Sequence, residues 1–211
     1  MQDISDYIEA HIDAEHPYLN KLYRDTNIYL MRPRMASGHA QGVVLRMLVE
    51  MIRPMRILEI GTYTGYSALC MASGLADGGI VETYEINDEM EDFTRPRIEN
   101  SPWADKVSMH IGDVLEVLAD TDKRYDLVFI DGNKRQYAEY YELGLRLLND
   151  GGYILADNTL WDGHVIDPAY DNDQQTIGVK NFNDLVARDA RVEKAILPLR
   201  DGLTLIRKKL R

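Results

Sequence analysis

The 211-residue chain has a single cysteine, Cys70. One thiol builds neither an intrachain disulfide nor a cysteine-based zinc site. A reducing cytoplasm is the simple reading, with Cys70 packed as a small hydrophobe on an apolar helix face. Long apolar runs are missing too. The longest, such as Leu127–Ile130, have the length of buried strands, well short of the ~18 apolar residues that a membrane span needs. Met1–Asp6 has neither a basic nor an apolar stretch, so no signal peptide is expected. Positive charge is scarce: 24 Lys and Arg stand against 35 Asp and Glu, a formal net charge of −11. That field opposes non-specific binding to nucleic acid, although a local basic patch is compatible with it. Lys208, Lys209 and Arg211 cluster at the C-terminus and read as a solvated tail.

What remains is a globular mix, 45% hydrophobic and 28% charged, with no repeat and no linker. One domain is expected over residues 1–211, a helical cap over 1–54 and an α/β core over 55–211. In the cap, Ile4, Tyr7, Ile8, His11 and Ile12 follow helical spacing until Pro17 interrupts it. A weaker helical stretch covers Leu19, Leu22 and Tyr23, and a third runs from Val44 to Ile52. From Arg56 the pattern alternates. Candidate strands are Ile57–Ile60, Val81–Ile86, Val107–Ile111, Leu127–Ile130 and Tyr153–Ala156. Helical stretches lie between them near 66–75, 88–99, 114–119 and 136–148, and Pro96 should kink or end the second. Such alternation means a parallel sheet with helices on both faces and ligands at the strand C-termini. After a helix near 178–188, Val192–Leu197 and Leu203–Ile206 flank an Asp-Gly and read as a closing β-hairpin.

The first strand runs into Gly61-Thr-Tyr-Thr-Gly65-Tyr-Ser67, a glycine turn and a helix start. The three-glycine pattern that seats a dinucleotide pyrophosphate is absent. Glu59, just before the turn, favours a cationic ligand over a phosphate, and S-adenosyl-L-methionine, with its ammonium and sulfonium, fits. Glu85 ends the second strand, where a carboxylate accepts from both ribose hydroxyls. The plain alternative is that both glutamates are simply exposed at strand ends. Gly112 and Asp113 follow the third strand and can meet an adenine edge; Asp113 also reads as the cap of the next helix.

Asp131 closes the fourth strand, and Asp157 with Asn158 closes the fifth. On neighbouring strands these two carboxylates and an amide make a hard oxygen site for Mg²⁺ or Mn²⁺. Lys134 lies three residues after Asp131. Beside a divalent cation its charged form is disfavoured, which suits it to act as a general base; the alternative is a surface lysine paired with Asp131. Trp161 is either an aromatic wall for a planar acceptor or a loop tryptophan packed on the core.

Together these residues resemble the metal-dependent class I O-methyltransferases, the caffeoyl-CoA and catechol O-methyltransferase family, and especially its small bacterial members. The likeness runs from about Met35 to the end, and its most specific stretches are Leu58–Ser67, Phe129–Lys134, Asp157–Trp161 and Leu197–Leu205. It implies a Rossmann-like α/β fold, a seven-stranded sheet parallel except for one strand. Asp131, Asp157 and Asn158 match the family's ligands for Mg²⁺, or for Mn²⁺ or Ca²⁺ in its place, and Lys134 matches its base. Glu59, Gly61, Tyr63, Ser67 and Glu85 match cofactor contacts, joined by Ser37, Val114 and the segment Met35–Gly42, which resembles the stretch over the cofactor's methionine end. Gly132 and Asn133 depart from the aromatic residues of the animal catechol enzymes, so the acceptor is open. The implied activity is metal-assisted methyl transfer to a hydroxyl of a catechol-like or other vicinal-oxygen small molecule. Two alternatives stand beside it, a methyltransferase acting on hydroxyuridine in tRNA and a non-catalytic cofactor-binding module. The apolar N-terminal residues, among them Ile4, Ile8, Ile28 and Tyr29, are expected to bury against a second copy or to pack on their own sheet as a lid.

Overall fold

The computed structural model describes residues 4–210. Three helices come first: α1 (Ile4–Glu9), α2 (Pro17–Tyr29) and α3 (His39–Ile52). α1 is shorter than its apolar spacing suggested, and His11 and Ile12 lie beyond it. Pro17 opens α2, at the position where a missing N–H costs nothing.

The core alternates β1 (Arg56–Ile60), α4 (Tyr66–Gly74), β2 (Ile80–Glu85), α5 (Glu91–Glu99), β3 (Val107–Ile111), α6 (Val114–Val117), β4 (Tyr125–Ile130), α7 (Tyr137–Leu147) and β5 (Leu148–Asp157). It closes with α8 (Gln174–Arg188), β6 (Val192–Leu197) and β7 (Leu203–Lys208). The seven strands lie in the order β3-β2-β1-β4-β5-β7-β6. β7 alone is antiparallel, paired with β5 on one side and β6 on the other. The expected sheet is therefore the one that forms.

β4 explains why this sheet sits in the middle of the molecule. Leu127 and Phe129 face a core shared with α2, α3 and α4, while Val128 and Ile130 face one shared with α6, α7 and α8. All four side chains are fully buried, and each contributes about 1.5–3 kcal/mol. The strand end that carries Asp131 is thus anchored from both faces. Cys70 lies in the first of these cores, on α4, as an apolar helix position predicts.

Three expectations need correction. α5 runs through Pro96 to Glu99; the proline forfeits one backbone donor, and Asn100 N–H closes the helix on the Pro96 carbonyl at 3.0 Å. Ile86 lies outside β2 and is exposed. Lys208 is no solvated tail: its Nζ donates to the carbonyls of Leu148 (2.7 Å) and Leu145 (3.3 Å), where the negative end of α7 attracts a cation. Lys209 Nζ likewise donates to Ala190 O at 2.9 Å, and Arg211 lies outside the described residues.

Candidate active site

The strand order reverses between β1 and β4, and a cleft opens there at the C-terminal edge of the sheet. The backbone ladder continues one residue past the strands. Gly61 N–H reaches Tyr84 O (2.9 Å), Asp131 N–H reaches Ile60 O (2.9 Å), and Gly112 N–H reaches Glu85 O (2.8 Å). Residues far apart in sequence are thereby held side by side around a cavity of about 850 Å³.

The walls collect almost every residue singled out in the sequence. Gly61, Tyr63 and Ser67 come from the turn after β1, Glu85 from the end of β2, and Gly112, Asp113 and Val114 from the turn after β3. Asp131 and Lys134 follow β4; Asp157, Asn158 and Trp161 follow β5; Ser37 enters from the segment before α3. Gly61 stands at φ +96°, and a Cβ there would lie 2.3 Å from the Asp131 carbonyl oxygen. Only glycine lets the two strand ends approach so closely.

Glu59 is the exception: it lies beneath the wall, fully buried. Its Oε1 accepts from Ser67 Oγ at 2.5 Å, while Oε2 has no partner. Burial, reinforced by the charges of Asp131 and Glu85, pushes its carboxyl up to about 8. Between its ordinary value of 4.5 and about 8, the folded protein keeps a proton that the unfolded chain has released. Stability of the cofactor-free protein is therefore expected to fall as pH rises through that window. Asp157 adds the same sign up to about 6. Thermal melts of Glu59→Gln isolate the upper part: its melting temperature should be flatter with pH than that of the wild type, and parallel curves would reject the assignment.

Neither glutamate is simply exposed at a strand end. The Glu85 carboxylate is pinned by three backbone N–H groups, Tyr63 (2.7 Å) and Thr62 (3.2 Å) on Oε2 and Asn87 (2.9 Å) on Oε1. Asp113 does cap α6, accepting from Leu115 N–H at 2.9 Å, and it lines the cavity as well.

On the other side, Lys134 is buried rather than on the surface. Its Nζ donates to Asp131 Oδ1 (2.8 Å), Tyr137 Oη (2.6 Å) and Gly132 O (3.4 Å). Tyr137 Oη donates in turn to the Asp157 carbonyl at 2.9 Å. α8 seats against this turn at Gly178, where a Cβ would come within 2.3 Å of the Lys134 carbonyl oxygen. Asp157 is buried; desolvation and the charge of Asp131 push its carboxyl up to about 6. Asn158 (φ +57°) and Trp161 (φ +47°) hold left-handed backbone, so the chain folds back over the cleft directly after β5. Trp161 stands half-exposed in the cavity wall, its ring centroid 5.8 Å from Lys134 Nζ.

Sequence reasoning missed Gln41, Tyr137 and Arg200. Gln41 Nε2 donates to Asp157 Oδ2 at 2.7 Å, and Arg200 Nη1 donates to Gln41 Oε1 at 3.1 Å. Tyr137 carried a signal, standing one helical turn after Lys134; the other two pairings are long-range.

The family model for O-methyltransferases matches residues 8–209. A caffeoyl-CoA O-methyltransferase of Mesembryanthemum crystallinum is 33% identical over 212 residues, covering 95% of this chain and 84% of that protein. A probable caffeoyl-CoA O-methyltransferase of Dictyostelium discoideum is 30% identical, covering 97% and 91%. Among solved structures, an O-methyltransferase from Bacillus cereus in complex with SAH superposes with a TM-score of 0.89 at 29% identity, covering 98% and 97% of the two chains. With its seven-stranded Rossmann-like sheet and a match over nearly its whole length, the chain belongs to the O-methyltransferase family.

Proposed function

We propose that this enzyme moves a methyl group from S-adenosyl-L-methionine to one hydroxyl of a catechol-like pair of vicinal oxygens, assisted by Mg²⁺ or a similar divalent ion. The observation that carries the reading is the convergence of Asp131, Asp157 and Asn158 on the same cavity as the glycine turn, with Lys134 Nζ 2.8 Å from Asp131. The relatives named as caffeoyl-CoA O-methyltransferases support it.

Both groups fit the residues present. The orphaned Glu59 Oε2 and the pinned Glu85 suit a ligand with a cationic end and a ribose diol. Among the described residues no three His, Cys, Asp or Glu side chains gather as a cation site. Two carboxylates and an amide are hard oxygen donors, matched to Mg²⁺, Mn²⁺ or Ca²⁺ and poor for zinc. When bound, the cofactor supplies an electrophilic methyl and the cation supplies Lewis acidity towards the acceptor hydroxyl. Lys134 takes the hydroxyl proton at Nζ, which stands 2.8 Å from Asp131 Oδ1. Trp161 offers a flat wall for an aromatic acceptor, and positioning supplies much of the remaining rate. Incubation with labelled cofactor and a panel of catechols and matched monophenols tests this. Methylated catechol and unmodified monophenol are expected; product on tRNA alone, or on no acceptor, would reject the reading.

Residues 4–54 act as a helical cap on the α/β core in a single domain, and the buried free thiol of Cys70 fits a reducing cytoplasm. Among the described residues no helix is long and apolar enough to cross a membrane. Leu19 and Leu22 of the cap are buried in the chain's own core, whereas Ile4, Ile28 and Tyr29 are 70%, 57% and 66% exposed. That uncovered apolar surface supports a symmetric homodimer. Light scattering should give about twice the chain mass of 24.2 kDa, and a mass equal to one chain would reject the dimer.

A further inference from the structure

Gln41 sits in the first turn of α3, 1% exposed, with its amide held at both ends. Nε2 donates to Asp157 Oδ2 at 2.7 Å and Oε1 accepts from Arg200 Nη1 at 3.1 Å. A guanidinium only donates and an amide oxygen only accepts. Arg200 therefore decides which way round the amide lies and turns its N–H towards the carboxylate. Asp157 Oδ1 accepts the Asn158 backbone N–H at 2.9 Å, so each carboxylate oxygen carries one fixed donor. The plane of the carboxylate is set, and the lone pairs left over are those available at the cavity wall.

Arg200 is itself held in place. It occupies a left-handed position (φ +48°) in the turn between β6 and β7 and also reaches Ala36 O at 3.4 Å. That turn is clipped to the chain leaving β5. Asp201 O accepts from Leu160 (2.7 Å) and Trp161 (3.2 Å), and Gly202 O accepts from Thr159 (3.1 Å). Three segments remote in sequence thus meet around one carboxylate.

We infer that Gln41 and Arg200 form a positioning relay that orients the Asp157 carboxylate for a divalent cation, an inference that rests on the cation site proposed above. Hydrogen-bond partners of ligating carboxylates are worth about 10–100-fold in metal affinity. A tie that merely fastened the cap to the sheet would change stability and leave affinity alone.

The test is calorimetric titration of Mn²⁺ alone into the full-length protein and its variants, with melting temperatures measured alongside. Gln41→Met and Arg200→Met should each weaken Mn²⁺ binding about tenfold or more. The double variant should bind no more weakly than the weaker single, because Arg200 acts only through the amide. Arg200→Lys, which keeps a donor, should recover much of the affinity. Binding by both single variants within about twofold of the wild type overturns the inference, and so do additive losses in the double variant. Should Gln41→Met fail to fold, the exposed Arg200 carries the test alone. Wild-type protein that binds Mn²⁺ while Asp157→Ala does not, with both relay variants unaffected, defeats only the relay. Wild-type protein that binds no Mn²⁺ defeats the cation site as well.

Discussion

Asp157→Ala is expected to lower methyl transfer about 10²–10³-fold, the several kcal/mol that a Lewis acid at the reacting oxygen is worth. The residual rate should no longer respond to EDTA. Wild-type protein stripped with EDTA should fall to the same level and recover on addition of Mg²⁺. The variant should still fold. Asp157 is a buried carboxylate whose charged form is opposed by desolvation and by Asp131, so its removal relieves a repulsion. The cost is two orphaned donors, Gln41 Nε2 and the Asn158 backbone N–H, worth about 1–3 kcal/mol each when buried. Cofactor affinity should stay close to wild type, because Gly61, Tyr63 and Glu85 lie on the β1–β2 side of the cleft, with Glu59 buried beneath them. Full turnover of the wild type in EDTA would remove the cation from the reaction.

Much of this arrangement was legible because the sheet is parallel. A strand buried on both faces reads as an unbroken apolar run, and Leu127–Ile130 announces itself this way. Parallel topology then brings every strand C-terminus to one edge, so Glu85, Asp131 and Asp157 gather without any knowledge of contacts. The layer behind them follows no such rule. Gln41 meets Asp157 across 116 residues and Arg200 meets Gln41 across 159, and no periodicity encodes either pairing. Lys208 was misjudged for the same reason: its partners are carbonyls at the end of α7, some sixty positions earlier, at separations of 60 and 63 residues. That Pro96 does not end α5 has a local reason. α5 loses a single hydrogen bond there, while Ile98, on its final turn, is buried in the core and holds the helix in place.

Lys134→Met is expected to lower kcat about 10²–10⁴-fold, the range for loss of a positioned general base. Binding of S-adenosyl-L-methionine should change little. Mn²⁺ affinity should hold or rise, since the variant removes an ammonium that occupies Asp131 Oδ1 at 2.8 Å. That opposition of signs separates a base from a structural tie. If Lys134 only steadied Asp131, its loss would loosen the carboxylate and weaken the ion. Lys134→Arg sharpens the contrast. A guanidinium keeps the positive charge and still donates to Asp131, but it gives up no proton at working pH and takes none. The base role therefore requires Lys134→Arg to be as inactive as Lys134→Met. The lysine itself is well placed for the task, held by Tyr137 Oη at 2.6 Å, with its backbone pressed against Gly178 of α8. Such a fixed Nζ meets the positional demand of proton transfer, which tolerates little error in donor–acceptor distance. Activity of Lys134→Arg near the wild-type level would assign Lys134 to charge balance and leave proton removal to another group.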